Sequence, residues 1–321
     1  HLRQARDSAR HLGIKVLTDV DDTLYANLVD DRYPKKTWYP GVLELYGAIR
    51  REPFDHDWVP VTTLSARPNP VGGILEEGSV NSLHERTHGR LRASALSGRT
   101  GSSVLGTIET LARDRRVQAR RNPGSLRAMV SGSLAEALPD FDSLEQKIGV
   151  VKFNNFKRYA RVYPEYRFVF FGDSGQADAL TAHRMVTDEE LSTRVVATFI
   201  HDLGADDDSR SPTFRALPQD LRITKAQAPS SGPGVIVFRN HIQAAVLANM
   251  HLGDLVPAPV MARVTRTALD ELRSVPFVDS RSRDRLEAEY HEDAADALTL
   301  LERETDEALA EEVAAIRQHL G

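Results

Sequence analysis

Residues 14–24 read IKVLTDVDDTL, an apolar run that passes directly into a cluster of carboxylates. Such a run is typical of a buried strand. Asp19 and Asp21 follow where the strand gives way to a loop, and in an extended chain their side chains lie on one face. Carboxylates this close repel each other. Such a cluster is unfavourable unless a bound cation or a proton-transfer step requires it. The stretch therefore predicts a strand that ends in an acidic site, although a strand followed by a plain acidic turn is a common alternative.

A second apolar run ends in the same way far along the chain. Residues 167–171 read RFVFF, and GDSGQAD follows at 172–178. In an open α/β sheet, sites form beyond the carboxyl ends of parallel strands. Two such strands side by side would bring together Asp19, Asp21, Asp173 and Asp178 as oxygen ligands of a hard cation, for which we expect Mg2+. The arrangement suits phosphoryl transfer through an aspartyl-phosphate, in which one carboxylate attacks and its neighbour moves protons.

Two further polar side chains fit the same predicted site. Residues 58–64 read WVPVTTL, a third predicted strand, and Ser65 stands in its exit loop, where a hydroxyl and backbone N–H groups can bind phosphoryl oxygens. Lys152, in GVVKF at 149–153, would neutralise the carboxylates and a transferring phosphoryl group. A loop Ser or a surface Lys is usually only solvated. They become candidates because the two acidic loops, the Ser65 loop and the Lys152 segment follow one another along the chain in a particular order.

That order resembles the haloacid dehalogenase-like phosphatase superfamily and, more narrowly, the App1-type phosphatidate phosphatase catalytic domain family. The resemblance is carried by five segments: TDVDDTL at 18–24, YPGV at 39–42, YPEYRF at 163–168, FFGDSGQAD at 170–178 and FIHDL at 199–203. It spans residues 12–253. It implies an α/β fold with a Rossmann-like parallel sheet flanked by helices. To this fold the chain's own pattern adds an inserted, mainly helical cap and a helical C-terminal appendage.

The resemblance also implies a role for each candidate catalytic residue. Asp19 would be the nucleophile that becomes phosphorylated. Asp21 would protonate the leaving alkoxide and then activate water. Ser65 would contact the phosphoryl oxygens, and Lys152 would stabilise the charge around the phospho-aspartate. The implied protein is a magnesium-dependent phosphomonoesterase, with phosphatidate or a related lipid phosphate as the leading substrate.

For the metal, the resemblance implies that Asp173 binds Mg2+, with Asp178 as a ligand or as a partner of the ligands. Two other functions stay open beside the lipid phosphatase. One is a phosphatase of soluble phosphorylated metabolites. The other is a scaffold or effector module that retains the fold without turnover, and the complete set of candidate residues speaks against it.

The composition limits the class of protein. The chain has 321 residues, of which 41% are hydrophobic and 27% charged, with a formal net charge of −5. These values are ordinary for a soluble globular protein and predict no nucleic-acid partner. The absence of cysteine excludes disulfides, thiolate metal sites and a cysteine nucleophile. No apolar run approaches the roughly 20 residues of a membrane span. Residues 1–6 lack an apolar signal core, so we expect a cytoplasmic protein.

We expect the chain to divide into a core at 12–253, which by the resemblance would be the phosphatase domain, and a helical extension at 254–321. Between the predicted strand at 58–64 and Lys152, residues 69–148 exceed what one connection needs. We interpret part of them as an inserted cap, which by the resemblance would exclude water and select substrates, with a disordered or merely decorative insertion as the alternative. This cap includes a helical pattern at 134–148. In the extension, apolar residues recur at helical spacing, which predicts helices packed on the core.

Other periodic segments complete the predicted sheet. VVATFI at 195–200 and GVIVF at 234–238 are typical of core strands, and helices are predicted at 177–185 and 240–252. His201 and Asp202 follow the strand at 195–200, near the expected active edge. A histidine at such a place is more often a hydrogen-bonding group than a catalytic one.

The predicted cap also carries a strong run of positive charge. Six arginines crowd into fifteen residues: Arg113, Arg115, Arg116, Arg120, Arg121 and Arg127. Each contributes on the order of 1 kcal/mol near an acidic membrane, which predicts peripheral contact with anionic lipid. A solvated helix face is the alternative.

Overall fold

The structure is a computed structural model that describes residues 13–49, 61–64, 141–204, 210–277, 279–304 and 306–321. Several predictions fall on other residues and are therefore outside it. These are Ser65, the cap up to residue 140 and the arginine run at 113–127.

The described residues build a six-stranded sheet. Its strands are β1 (Gly13–Thr18), β2 (Thr62–Thr63), β3 (Tyr166–Asp173), β4 (Val195–His201), β5 (Arg222–Ile223) and β6 (Val235–Phe238). Their order is β2-β1-β3-β4-β6-β5, and every neighbouring pair is parallel. Parallel strands need crossover connections, which place helices on the faces of the sheet. The predicted α/β class with a parallel, Rossmann-like sheet flanked by helices is thus confirmed.

Eight α-helices lie within the described ranges. They are α1 (Val42–Ile49), α2 (Phe141–Val162), α3 (Asp178–Thr187), α4 (Pro212–Arg215), α5 (His241–His251), α6 (Ala258–Arg273), α7 (Ser280–Leu301) and α8 (Ala310–Leu320). The helices predicted at 177–185 and 240–252 are confirmed as α3 and α5. In α5 the Asn240 side chain caps the first turn by accepting the Gln243 N–H. Among the described helices, none combines the length and the apolar character that crossing a membrane requires.

The helix predicted at 134–148 does not end there, and α2 continues to Val162. Gly149 lies within this helix. Because it has no side chain, it allows α2 to pack closely against α3. A Cβ at position 149 would lie 2.9 Å from Leu180 Cδ2 and 3.1 Å from the carbonyl oxygen of Ala177. Lys152 therefore lies within a helix, one turn beyond the predicted end.

Two apolar cores flank the sheet, because successive side chains of a strand point to opposite faces. On one face Val16 packs with α1 and α5 to α8; on the other Leu17 packs with α2, α3 and α4. The C-terminal helices belong to the larger of these cores, with Leu301 and Ile316 buried in it. The expectation that they pack on the core is met.

Candidate active site

The two acidic loops meet at the carboxyl edge of the sheet because β1 and β3 are adjacent. In the register of this pair Thr18 lies opposite Phe171. The Asp19 N–H donates to the carbonyl oxygen of Phe171 at 2.9 Å, and the Leu64 N–H donates to that of Thr18 at 2.8 Å. The backbone that carries Asp19 is therefore held from both neighbouring strands.

Three of the four predicted metal ligands come together at this edge. Asp19, Asp173 and Asp178 each place one carboxylate oxygen within 4.8 Å of the others, and all three residues are buried. Asp173 ends β3 and Asp178 begins α3. Oxygens bound to one Mg2+ at about 2.1 Å are about 3 to 4 Å apart, so small movements would bring all three onto one ion.

Lys152 reaches into this group from α2. Its Nζ lies 2.6 Å from Asp178 Oδ1 and 3.0 Å from Asp19 Oδ1, and the residue is 3% exposed. Burial by itself would lower the pKa of Lys152, but the charges of Asp178 and Asp19 outweigh it and hold the pKa above its usual range. The side chain is therefore a fixed positive charge beside the carboxylates.

One ammonium does not balance three carboxylates. Burial raises the pKa of Asp19 to about 7; Lys152 opposes this shift, and repulsion from Asp178 and Asp21 adds to it. Burial, followed by repulsion from Asp178 and Asp19, raises the pKa of Asp173 well above its ordinary value. With all groups charged, three negative charges and one positive leave an excess of two. A divalent cation would cancel that excess.

Gly172 allows Asp178 to approach the site. A Cβ at position 172 would lie 2.4 Å from the Cβ of Asp178 and 2.7 Å from its Oδ2. The adjacent Asp173 N–H donates to Asp178 Oδ2 at 3.3 Å, and the Gly175 N–H donates to Asp173 Oδ1 at 2.8 Å. The glycine-containing loop was visible in the sequence, but this steric reason for Gly172 emerges only from the packing of α3 on β3.

Asp21 is not a member of the buried group of three. Its Oδ1 accepts a hydrogen bond from Asn27 Nδ2 at 2.6 Å and lies 3.7 Å from Lys36 Nζ. Metal ligation by the Asp21 carboxylate therefore stays a prediction without support from this arrangement. Asn27 and Lys36 carried no signal in the sequence, because they lie in an irregular segment with no periodic pattern.

Asp22 organises the loop that holds Asp21. Its carboxylate accepts the backbone N–H groups of Asn27, Leu28 and Val29 at 2.7, 2.9 and 2.8 Å. Asp22 has φ +57°, a left-handed conformation that aspartate tolerates better than most residues. Burial raises the pKa of Asp22 even though these backbone donors favour its charged form. The sequence alone indicates no role for Asp22, because its backbone donors are brought to it only by the folded loop.

A second network underlies the same loop. The Asp30 carboxylate accepts two bonds from Arg32, at 3.0 and 2.9 Å, and one from the Tyr39 hydroxyl at 2.9 Å. Arg32 Nη2 is 3.3 Å from His201 Nε2. Burial, reinforced by Arg32, lowers the pKa of His201 to about 4, so the ring is neutral at pH 7. His201 is thus a hydrogen-bonding group, as its position at a strand end suggested, while Asp202 pairs with Arg210 at 2.7 Å.

Comparison with known proteins identifies no relative: no protein-family model, no curated protein and no solved structure matches this chain. Ser65, the remaining candidate from the sequence, lies outside the described residues. The function must therefore be inferred from the chemistry of Asp19, Asp173, Asp178 and Lys152 and from the loop that holds Asp21.

Proposed function

We propose that this chain is a magnesium-dependent phosphomonoesterase of the haloacid dehalogenase-like type, which acts through an aspartyl-phosphate on Asp19. One observation carries the proposal: three buried carboxylates converge on one ammonium at the carboxyl edge of a parallel sheet. Buried charges are costly unless they are paired, so a buried group with unbalanced charge does not stabilise the fold. It suits a site whose charge is completed by a cation and used on a phosphate.

The donor set fits Mg2+, because the ion prefers carboxylate oxygens and binds through a small number of them. Asp19, Asp173 and Asp178 would hold it. When bound, it would supply positive charge to the phosphoryl oxygens of the substrate. The excess of two negative charges on the protein side is consistent with a divalent rather than a monovalent ion.

Asp19 is the proposed nucleophile because it is the most accessible of the three carboxylates, at 7% exposed against 0% for both Asp173 and Asp178. One of its oxygens attacks phosphorus in line, and the bond from phosphorus to the ester oxygen breaks. Asp21 gives its proton to the departing alkoxide. The Lys152 ammonium, 3.0 Å from Asp19 Oδ1, favours the charged nucleophile and stabilises the phosphoryl group as charge builds on its oxygens.

Hydrolysis then restores the enzyme. Asp21 takes a proton from water as the water oxygen attacks phosphorus, the bond from phosphorus to Asp19 breaks, and inorganic phosphate leaves. The hydrogen bond from Asn27 holds the Asp21 carboxylate in one orientation for both proton transfers. A role for Ser65 in binding phosphoryl oxygens, a cap at 69–148 and membrane contact by the arginines stay predictions from the sequence.

The experiment is phosphate release from a panel of monoesters, with Mg2+ or with EDTA. The panel includes phosphatidate in vesicles and water-soluble aryl and alkyl phosphates, so it also separates lipid from soluble substrates. Asp19→Asn should lower turnover by at least about 10^3-fold, as expected when a nucleophile is removed. Its melting temperature should not fall, because the substitution also removes repulsion among buried carboxylates.

Asp188→Asn is the matched control, since Asp188 is also paired with a lysine of α2, at 3.2 Å, but outside the site. It should retain activity. Magnesium-independent turnover, or full turnover by Asp19→Asn, would remove the proposed mechanism. Absence of phosphate release from every ester would favour the non-catalytic scaffold.

A further inference from the structure

Lys36 stands beside Asp21, and the proposed mechanism does not use it. Its Nζ is 3.7 Å from Asp21 Oδ1 and 4.7 Å from the centre of the Tyr25 ring. Side-chain exposure rises from 10% for Asp19 to 17% for Asp21 and 41% for Lys36. The three residues thus form a series from the buried nucleophile towards the solvent, with a positive charge at its outer end.

The backbone around Lys36 is well held. The Lys36 N–H donates to the carbonyl oxygen of Ala26 at 2.6 Å, and the Ala26 N–H donates to that of Thr37 at 2.9 Å. The Tyr25 ring below the ammonium packs edge-on against Trp38, with ring centres 5.7 Å apart. These contacts place the ammonium at a defined point next to Asp21.

Lys36 occupies this point at a conformational cost. Its φ is +70°, in the left-handed region that residues with a Cβ seldom adopt. Glycine would take the same conformation without strain. Strained residues cluster at functional sites, where the surrounding structure holds them in the strained conformation. A lysine at a position suited to glycine points to a use for its positive charge.

The position of Asp21 defines what that charge would meet. A proton donor must lie within hydrogen-bond reach of the oxygen that it protonates, so the ester group departs on the Asp21 side of the site. Lys152, by contrast, contacts Asp19 and Asp178 and lies on the phosphoryl side. Lys36 is therefore next to the leaving group and not next to the transferred phosphoryl group.

We infer that Lys36 is a specificity-determining residue that selects phosphate monoesters whose leaving group carries its own negative charge, a carboxylate or a second phosphate. This inference rests on the proposed function and names its substrate class. An anion on the leaving group would face the Lys36 ammonium, because that ammonium lies 3.7 Å from Asp21 Oδ1 on the side where the leaving group departs. Phosphatidate, whose leaving group is an uncharged diacylglycerol, would gain nothing from Lys36.

The test compares two esters, phenyl phosphate and 3-carboxyphenyl phosphate, whose leaving phenols have similar acidity. The wild type should show a kcat/KM about fivefold higher for the carboxylated ester, the upper end of what an exposed ion pair contributes. Lys36→Met should remove this preference and Lys36→Arg should keep most of it. Because the pair is partly exposed, the preference should also shrink as salt is raised.

Lys35→Met is the matched control. The Nζ of Lys35 donates to the backbone carbonyls of Asp30 and Leu28, at 3.0 and 3.4 Å, so its loss removes a neighbouring charge that is engaged within the loop. The Lys35 variant should retain the preference for the carboxylated ester. The ratio of the two kcat/KM values cancels any general effect of either substitution on folding or turnover.

Three results would contradict the inference and leave the proposed phosphatase activity intact. They are a wild type without preference, a Lys36→Met variant that lowers kcat/KM equally for both esters, and turnover of other panel esters but of neither aryl ester. The second would show that Lys36 is only a counter-ion of Asp21. If no ester of the panel is hydrolysed with Mg2+, the proposed function fails and this inference fails with it.

Discussion

Replacing Lys152 with methionine removes the ammonium that stands among three buried carboxylates and leaves a side chain of similar length. The lysine makes ion pairs of 2.6 and 3.0 Å with Asp178 and Asp19. With an effective dielectric constant of about 20, each pair represents an attraction on the order of 5 kcal/mol. Desolvation offsets part of this, and breaking a buried pair costs about 3–5 kcal/mol in practice. That is a large share of the roughly 5–15 kcal/mol by which a domain is stable.

The assay is denaturant unfolding in EDTA at pH 8, where proton uptake by the buried carboxylates is less favourable than at neutral pH. Lys157→Met is the control, because it makes the same change on the same helix. Lys157 pairs with Asp188 at 3.2 Å and its side chain is 27% exposed, so we expect a loss below about 1 kcal/mol. Wild type and both variants should share one m value, which would show that the unfolded states are comparable.

Magnesium supplies a second readout for Lys152→Met. Without the ammonium the site has three uncompensated negative charges, so Mg2+ should stabilise the variant by more than it stabilises the wild type. Activity should be lost even when Mg2+ restores stability, because Lys152 also stabilises the phosphoryl charge. If Lys152→Met lowers the free energy of unfolding by no more than Lys157→Met does in EDTA, Lys152 does not offset repulsion among the buried carboxylates, and this explanation is wrong.

Two other substitutions or conditions test the same site. Gly172→Ala should cost about 1–3 kcal/mol by overpacking against Asp178, and should weaken Mg2+ binding about 10- to 100-fold by displacing that ligand. Gly47→Ala in helix α1 should instead stabilise the protein by about 0.5–1 kcal/mol, because its Cβ would meet no atom within 4 Å among the described residues. Equal effects of the two would contradict the steric argument. The pKa of Asp19 is raised from 3.8 to about 7, so the folded protein binds this proton more tightly than the unfolded chain and metal-free stability should fall as pH rises from about 4 to about 7. Melting temperatures should accordingly show a larger gain from Mg2+ at pH 8 than at pH 5, and a gain independent of pH would refute the shift.

Much of the sheet could be predicted because its strands are short apolar runs that end in acidic or glycine-containing loops. The segments at 14–17, 167–171 and 195–200 lie in strands of the structure, and so does the segment at 234–238 except for Gly234, which precedes β6. The end of the helix predicted at 134–148 was wrong, because a glycine in a helical pattern is ambiguous without its packing partner. Only contact with α3 explains why α2 passes through Gly149.

The candidate site also combines features that the sequence predicts with features that only the folded structure reveals. Asp19, Asp173 and Asp178 could be placed at one edge because strand ends in a parallel sheet share an edge. That Asp21 would bind Asn27 and Lys36 could not be predicted, because those bonds form within an irregular loop that Asp22 closes through backbone donors. Hydrogen bonds of this kind leave no periodic trace in the order of residues.

The sequence by itself determined the local chemistry of this protein: which segments extend, which coil, and where carboxylates follow a strand, since these depend on neighbours along the chain. The tertiary structure decided which charges share one small volume. It placed β1 beside β3, rotated Lys152 inward on α2 and seated Asp178 over Gly172. Those relations depend on packing between segments far apart in the chain, and the imbalance of three carboxylates against one ammonium exists only once that packing excludes water.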